Sequence, residues 1–337
     1  MSNSKQHYAV LGAGSWGTAL ALQLARAGHP TLLWSHSEDH CREMLRTQRN
    51  DKYLPGMTFP ENLHPVHDLQ TTIDQVRDIL VVVPSHVFRE TVQRLKPFLN
   101  EQHRLAWGTK GLEPGTRKLL HQIVREELGI TVPVAAVSGP TFAMEVAKGL
   151  PGAITVASKD TQFANDLAEA LHSEYFLTYT SDDIIGVEIG GAAKNVMAIA
   201  AGIADGLGFG ANTRSAVITR GLAEIIRLGT AMGGRQDTFM GLTGLGDLVL
   251  TCTDDQSRNR RFGLSLARGK SEQEARRDIG QVIEGIRTAD VTLQLARRHG
   301  VEMPISEHVH RVIRGEMAAR EAVQSLLARE RKSEAAD

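Results

Sequence analysis

Three glycines, Gly12, Gly14 and Gly17, punctuate "VLGAGSWGTALALQLARAG" where an apolar, β-branched run gives way to a helical pattern. A glycine inside a helix costs about 1 kcal/mol against alanine, so the spacing implies that something comes close to this backbone. In the dinucleotide fingerprint G-x-G-x-x-G the first glycine makes the tight turn, the second admits a pyrophosphate, and the third lets helix and strand pack closely. The helix amino terminus then offers N–H groups and a partial positive charge to the phosphates. A strand-to-helix turn with no ligand could use the same residues; the strand-loop-helix-strand context favours the nucleotide.

The second strand ends in "LWSHSED", with Ser35 and His36 at the point where NAD sites usually carry an acid for the ribose 2′-hydroxyl. Glu38 and Asp39 fall slightly beyond. Without an acid at the strand end a 2′-phosphate meets less repulsion, and His36 is able to hydrogen-bond or partly neutralise it. The expected cofactor is therefore NADPH ahead of NADH, with a solvated loop histidine as the plainer account of His36.

A second constellation lies in "GVEIGGAAKNVMAIAAGIADG", a helix of small and apolar residues interrupted by Lys194 and Asn195. Gly190 and Gly191, four and three residues earlier, bare the helix face beside Lys194, where a ligand could approach. Such a lysine is either a snorkelling edge residue or a tuned acid/base group, because desolvation and nearby positive charge both lower its pKa. "GLTGLGDLVLTCTDDQSRNRRFG" places Asp247 after a glycine-rich turn, then Ser257, Arg258 and Asn259 at a helix start. A serine cap, free N–H groups and an arginine fork make a phosphate seat, and equally an ordinary cap followed by a basic turn.

The elements that must position these residues fall into two kinds. The first half alternates β-branched runs ("YAVLG", "TLLW", "ILVVV", "RLAW", "VAAV", "AITVA", "FLTYT") with amphipathic helical stretches, the pattern of a parallel sheet flanked by helices. Polar loops follow the strands: Ser35-His36, Pro84-Ser85-His86, Gly108-Thr109-Lys110 and Ser138-Gly139-Pro140-Thr141. In an open parallel sheet they converge on the crevice at the carboxyl edge. Beyond about residue 185 the pattern is helical throughout: 186–207, 212–232, a glycine-rich loop, 258–268, 272–278, 285–299 and 305–328. The expectation is an α/β protein, a Rossmann-type doubly wound sheet in 1–185 followed by an all-helical domain in 186–337. A chain of 337 residues can bury two such cores.

Composition narrows the partners. Thirty-eight Lys and Arg against 39 Asp and Glu leave a formal charge of −1, so no global field favours nucleic acid or an anionic membrane. Cys41 and Cys252 are far apart and lack CxxC spacing, which suggests neither a disulfide framework nor a zinc site. His36 and His40 stand at i, i+4 beside Cys41, but no further ligand accompanies them at metal-site spacing, and no metal is assigned. "MSNSKQHYAV" lacks a signal-peptide pattern, and no run is read as approaching the roughly 18 apolar residues of a spanning helix. A cytoplasmic protein without stable membrane insertion is expected, with a frayed tail "ERKSEAAD".

With these residues in view, the chain resembles bacterial NAD(P)-dependent glycerol-3-phosphate dehydrogenases. The likeness runs from "GAGSWGTALA" through "VVVPSHVF", "TKGLE", "SGPTFAMEVAKGLP", "GGAAKNVMAIAAG", "GLTGLGDLVLTCT", "SRNRRFG" and "VIEG", essentially the whole chain. The resemblance implies reversible reduction of dihydroxyacetone phosphate to sn-glycerol 3-phosphate, supplying phospholipid synthesis. It also implies Lys194 as general acid and base, and Lys110 in contact with substrate and cofactor. Asp247 would position the reacting oxygen and the lysine ammonium; Ser257, Arg258 and Asn259 would hold the phosphate end, with Gly139 and Thr141 as further substrate contacts. Cofactor contacts would come from Ser15, Trp16, His36, Lys110, Ala143, Arg258, Val282 and Glu284, and the family habit is a homodimer. His36 departs from the arginine of many relatives. A hydroxy-acid dehydrogenase of the same plan would need a carboxylate site and no phosphate seat, and a nonenzymatic dinucleotide sensor would have no need of Lys110, Lys194 and Asp247 together.

Overall fold

The computed structural model describes residues 7–129 and 132–328, so the tail expected to fray lies outside the described residues. The chain forms two compact units, one of residues up to 109 together with 120–184, the other of 110–119 together with 185 onward.

The first unit holds one eight-stranded sheet: β1 (Tyr8–Leu11), β2 (Thr31–Trp34), β3 (Leu63–Val66), β4 (Asp78–Val81), β5 (Arg104–Trp107), β6 (Val134–Ser138), β7 (Gly152–Ala157) and β8 (Phe176–Ser181). Its helices are α1 (Ser15–Arg26), α2 (Glu38–Thr47), α3 (Leu69–Ile73), α4 (Phe88–Leu95), α5 (Leu120–Leu128), α6 (Ala143–Ala147) and α7 (Thr161–Leu171). The strand order is β3-β2-β1-β4-β5-β6-β7-β8. The chain leaves β1 for β2 on one side and returns to β4 on the other, so the winding reverses at β1, where an open α/β sheet leaves its binding crevice. All four residues of β1 and of β4 are buried, as expected of central parallel strands covered on both faces.

Two features depart from the sequence reading. β3, "LHPV", is not among the expected strands; its Pro65 cannot donate to a ladder and is tolerated at the sheet edge, where β2 pairs with it. The sheet is also mixed, since β6 and β7 run antiparallel with Val137 opposite Val156. The link between them contains only the five-residue α6, about 7.5 Å of helix, shorter than the strand it would have to run back along.

The second unit is helical: α8 (Ile184–Gly206), α9 (Gly210–Ala231), α10 (Gln236–Met240), a π-helical turn at Leu242–Gly246, α11 (Asp247–Thr253), α12 (Arg258–Ala267), α13 (Glu272–Ile279), α14 (Glu284–His299), α15 (Pro304–Ile313) and α16 (Ala319–Leu327). Residues 110–119, grouped with the sheet in the sequence reading, belong here because Leu112 and Leu119 are buried in the same core as Ile189, Val196 and Phe262. The stretch read as a glycine-rich loop is helical, and the helix expected over 305–328 is broken near Gly315, whose φ is +71°. Contrary to the hydropathy expectation, α8 is long and apolar enough to cross a membrane, but 89% of its most apolar window is buried inside the protein. It is the central helix of this core.

Glu224 on α9 is buried and closes the start of α15. Its carboxylate accepts from the N–H groups of Ile305 (2.5 Å) and Ser306 (3.1 Å) and from Ser306 Oγ (3.0 Å). Burial pushes its pKa up to about 7 against the pull of these donors.

Candidate active site

The glycine loop sits at the carboxyl end of β1. Gly12 has φ +122°, and a Cβ there would lie 2.3 Å from Val82 O, just past β4. A Cβ at Gly17 would lie 2.0 Å from Gly12 O, so the first and third glycines are required by the turn and by the packing of α1. Gly14 differs: a Cβ there meets nothing within 4 Å. It is also the N-cap of α1 and supplies no side-chain cap, which leaves space and helix N–H groups together, as a pyrophosphate needs. The residues present therefore fit a dinucleotide. Ser15 and Trp16 open α1, and Ser15 Oγ donates to Tyr53 O at 2.7 Å.

At the end of β2, Ser35 is buried and His36 exposed. Glu38 and Asp39 lie in the first turn of α2, each 3.3 Å from Arg42. After β6, a Cβ on Gly139 would come within 2.9 Å of Ala153 O, so close packing against β7 accounts for that glycine. Thr141 Oγ1 donates to Gly139 O at 3.2 Å, and Ala143 begins α6.

Within the second unit, the structure assembles Lys110, Lys194 and Asp247, which the sequence scatters. Asp247 is wholly buried at the start of α11 and bridges two ammonium groups: Lys194 Nζ donates to its Oδ1 at 2.5 Å and Lys110 Nζ to its Oδ2 at 2.8 Å. Lys194 Nζ also donates to Thr251 Oγ1 at 2.8 Å. Thr251 lies one turn after Asp247 on α11, a partner the sequence reading missed because it took the preceding stretch for a loop. An ammonium has three donors, so Lys194 retains one N–H beyond these two bonds. Its pKa is lowered from 10.5 to about 8, chiefly by burial and in part by Lys110, with Asp247 opposing both. The lysine is thus a buried, tuned group and not a snorkelling one.

The glycine beside Lys194 has a different reason from the one expected. A Cβ at Gly190 would lie 2.6 Å from Thr243 O, so its bare face receives the π-helical turn that delivers Asp247. Backbone, not ligand, makes that close approach.

Ser257 caps α12, its Oγ accepting from Arg260 N at 3.2 Å. Arg258 follows at the first helical position, with Nη1 donating to Val282 O at 3.1 Å. Asn259 is held at both ends of its amide: Nδ2 donates to Asn195 Oδ1 at 2.9 Å, and Oδ1 accepts from Gly285 N at 2.9 Å. Asn195 is the neighbour of Lys194 on α8 and Asn259 the neighbour of Arg258 on α12, so this bond fixes the buried lysine relative to the start of α12. Val282 and Glu284 stand at the start of α14, Glu284 as its first residue.

A seat for a dinucleotide in one unit and a buried, tuned ammonium in the other are the parts of a nicotinamide-dependent dehydrogenase. Family models described as the N-terminus and C-terminus of NAD-dependent glycerol-3-phosphate dehydrogenase match residues 7–164 and 183–324. Glycerol-3-phosphate dehydrogenase [NAD(P)+] of Psychromonas ingrahamii is 54% identical over 326 residues, covering 96% of this chain and 98% of the relative, and that of Serratia proteamaculans is 55% identical over 326 residues, covering 96% of each. The crystal structure of glycerol-3-phosphate dehydrogenase from Coxiella burnetii superposes with a TM-score of 0.93 at 52% identity, covering 96% of this chain and 99% of that one. The chain belongs to the NAD-dependent glycerol-3-phosphate dehydrogenase family.

Proposed function

We propose that this chain reduces dihydroxyacetone phosphate to sn-glycerol 3-phosphate with NAD(P)H, reversibly, and that Lys194 is the general acid of the reduction and the base of the oxidation. The product is the backbone for glycerophospholipid synthesis. The observation that carries the assignment is the buried Lys194 ammonium, with a pKa near 8 and one N–H beyond its bonds to Asp247 and Thr251.

When bound, the nicotinamide would supply the hydride for the ketone carbon. Negative charge then develops on the carbonyl oxygen, and Lys194 gives that oxygen its proton. Lys110 adds fixed positive potential, and Asp247 holds both ammonium groups in place without reorganisation. Ser257, Arg258 and Asn259 grip the nonreacting phosphate, with Gly139 and Thr141 as further contacts; binding energy far from the reacting carbon thereby becomes orientation.

Gly12, Gly14, Ser15, Trp16 and Gly17 would hold the pyrophosphate, and Ala143, Lys110, Arg258, Val282 and Glu284 would complete the cofactor contacts. We read NADPH as preferred over NADH. Support comes from the exposed His36 after β2 and from Glu38 and Asp39, whose charges face Arg42. Parallel assays of NADPH and NADH with dihydroxyacetone phosphate, followed by nicotinamide absorbance, should show turnover with both and a higher kcat/KM for NADPH. Turnover of a keto acid without turnover of dihydroxyacetone phosphate would overturn the substrate.

We read the working form as a cytoplasmic homodimer, with no role in binding nucleic acid. In the helical unit a groove of about 890 Å³, lined by Val217, Ile305, Val309, Val323 and Leu326 among others, is an apolar face that a second copy would cover. Sedimentation equilibrium should give twice the chain mass, and a monomer at micromolar concentration would rule this out.

A further inference from the structure

The short turn after α2 makes contacts that neither a catalytic nor a cofactor role explains. Asn50 is 1% exposed, and its side chain reaches back to the glycine loop. Nδ2 donates to Ala13 O at 2.9 Å and to Thr18 Oγ1 at 2.7 Å, while Oδ1 faces His40 Nε2 at 2.9 Å. A backbone carbonyl can only accept, so the amide nitrogen must face Ala13; Oδ1 must then accept from His40, which fixes that ring with its proton on Nε2. Burial lowers the pKa of His40, in keeping with a neutral ring. Three residues on, Tyr53 O accepts from Ser15 Oγ at 2.7 Å. The turn itself is closed by Asn50 O, which accepts from Tyr53 N (3.2 Å) and Leu54 N (2.8 Å), and it is anchored by Leu54 in the core.

We infer that the Asn50–Leu54 turn is a clamp holding the glycine loop in its pyrophosphate-receiving shape, with Asn50 as the positioning residue. The clamp grips residues 13, 15 and 18, on both sides of Gly14, which alone of the loop's three glycines has open space at its Cβ position. In a trans peptide the C=O and the following N–H point in opposite directions. Pinning Ala13 O to Asn50 therefore turns the N–H of Gly14 away from the turn, toward the side left open to a ligand. Through His40, whose backbone N–H also bonds Ser37 Oγ at 3.3 Å, the same residue ties the loop to the start of α2. The segment that follows the end of β2, where the ribose is read, is thereby joined to the loop that meets the phosphates.

This inference rests on the glycine loop being the pyrophosphate seat, and the test separates the two. ADP carries a pyrophosphate and adenosine does not; each is titrated against wild type and Asn50→Ala by ligand-observed NMR, with no turnover needed. The clamp requires ADP binding to weaken about 10-fold in Asn50→Ala, the scale of one or two lost buried hydrogen bonds, with adenosine affinity unchanged within twofold. Equal loss for both probes, which is what general loosening produces, overturns the clamp, as does an unchanged affinity for ADP. Wild type that binds adenosine but not ADP would instead remove the seat itself. Thr18→Val takes away one acceptor without changing side-chain shape; it should show a smaller loss selective for ADP, and it decides the matter if Asn50→Ala fails to fold.

Discussion

Lys194→Met is expected to lower kcat by about 10³-fold, within the range that a positioned general acid contributes, while dinucleotide binding stays within twofold of wild type. Methionine fills the volume of the buried lysine stem and has no proton to give. Asp247 keeps Lys110 as its partner at 2.8 Å, so its carboxylate is not left unpaired. The glycine loop belongs to the other unit and has its own core, so fluorescence titration with NADPH reports a function the substitution does not touch. Turnover within tenfold of wild type would take the proton-transfer role away from Lys194. In wild type, reduction needs the ammonium and oxidation the free amine. The rate of reduction should therefore fall as pH rises through about 8, and that of oxidation should rise over the same interval.

Asp247→Asn should lower kcat by about 10²-fold, the scale of losing one fixed charge from a water-excluded site. The carboxylate accepts from a lysine at each oxygen; an asparagine amide has one oxygen and one NH₂, so one ammonium would face a donor. The sharper readout is the pH profile. Asp247 holds the pKa of Lys194 up, whereas burial and Lys110 press it down. Removing the carboxylate charge takes away the main opposition to these downward influences, so the pH at which reduction is half lost should move below about 8. Breaking a buried ion pair by removing one partner also destabilises, by about 3–5 kcal/mol, so circular dichroism must accompany the kinetics. A midpoint that stayed in place or rose would refute this account of how Lys194 is tuned.

What could be read from the residues alone divides along a physical line. The glycine loop was legible because its whole logic is local: Gly12 and Gly17 are five residues apart, and each is needed by contacts the motif itself creates or by the next central strand. Seven of the eight strands announced themselves as short apolar or β-branched runs, and β3 did not because an edge position tolerates Pro65. The antiparallel β7 was hidden, since strand direction follows from the length of the connection and not from the residues of the strand. Lys194 was conspicuous as a charge in an apolar helix, yet its partners were not derivable from spacing: Asp247 lies 53 residues away, and Lys110 lies 137 residues from Asp247. The resemblance named those residues without giving the bridge that joins them. Gly190 shows the opposite failure, in which the residue was noticed and the wrong neighbour inferred. Asn50 carried no local signal at all, because an asparagine after a helix reads as a turn residue until its amide is seen against Ala13.

Residues 110–119 leave one unit for the core of the other, and the chain changes unit at three junctions, after 109, 119 and 184. Neither unit is a contiguous stretch of polypeptide, so no single proteolytic nick could release an intact one. A ribosome that has finished only the sheet-bearing half would already have made Leu112 and Leu119, two apolar plugs whose socket is encoded dozens of residues later. Until the helical half emerges, those leucines lack their native neighbours. Assembly of the two halves is therefore coupled in time as well as in sequence, and halving the gene at residue 185 would strand ten residues on the wrong fragment.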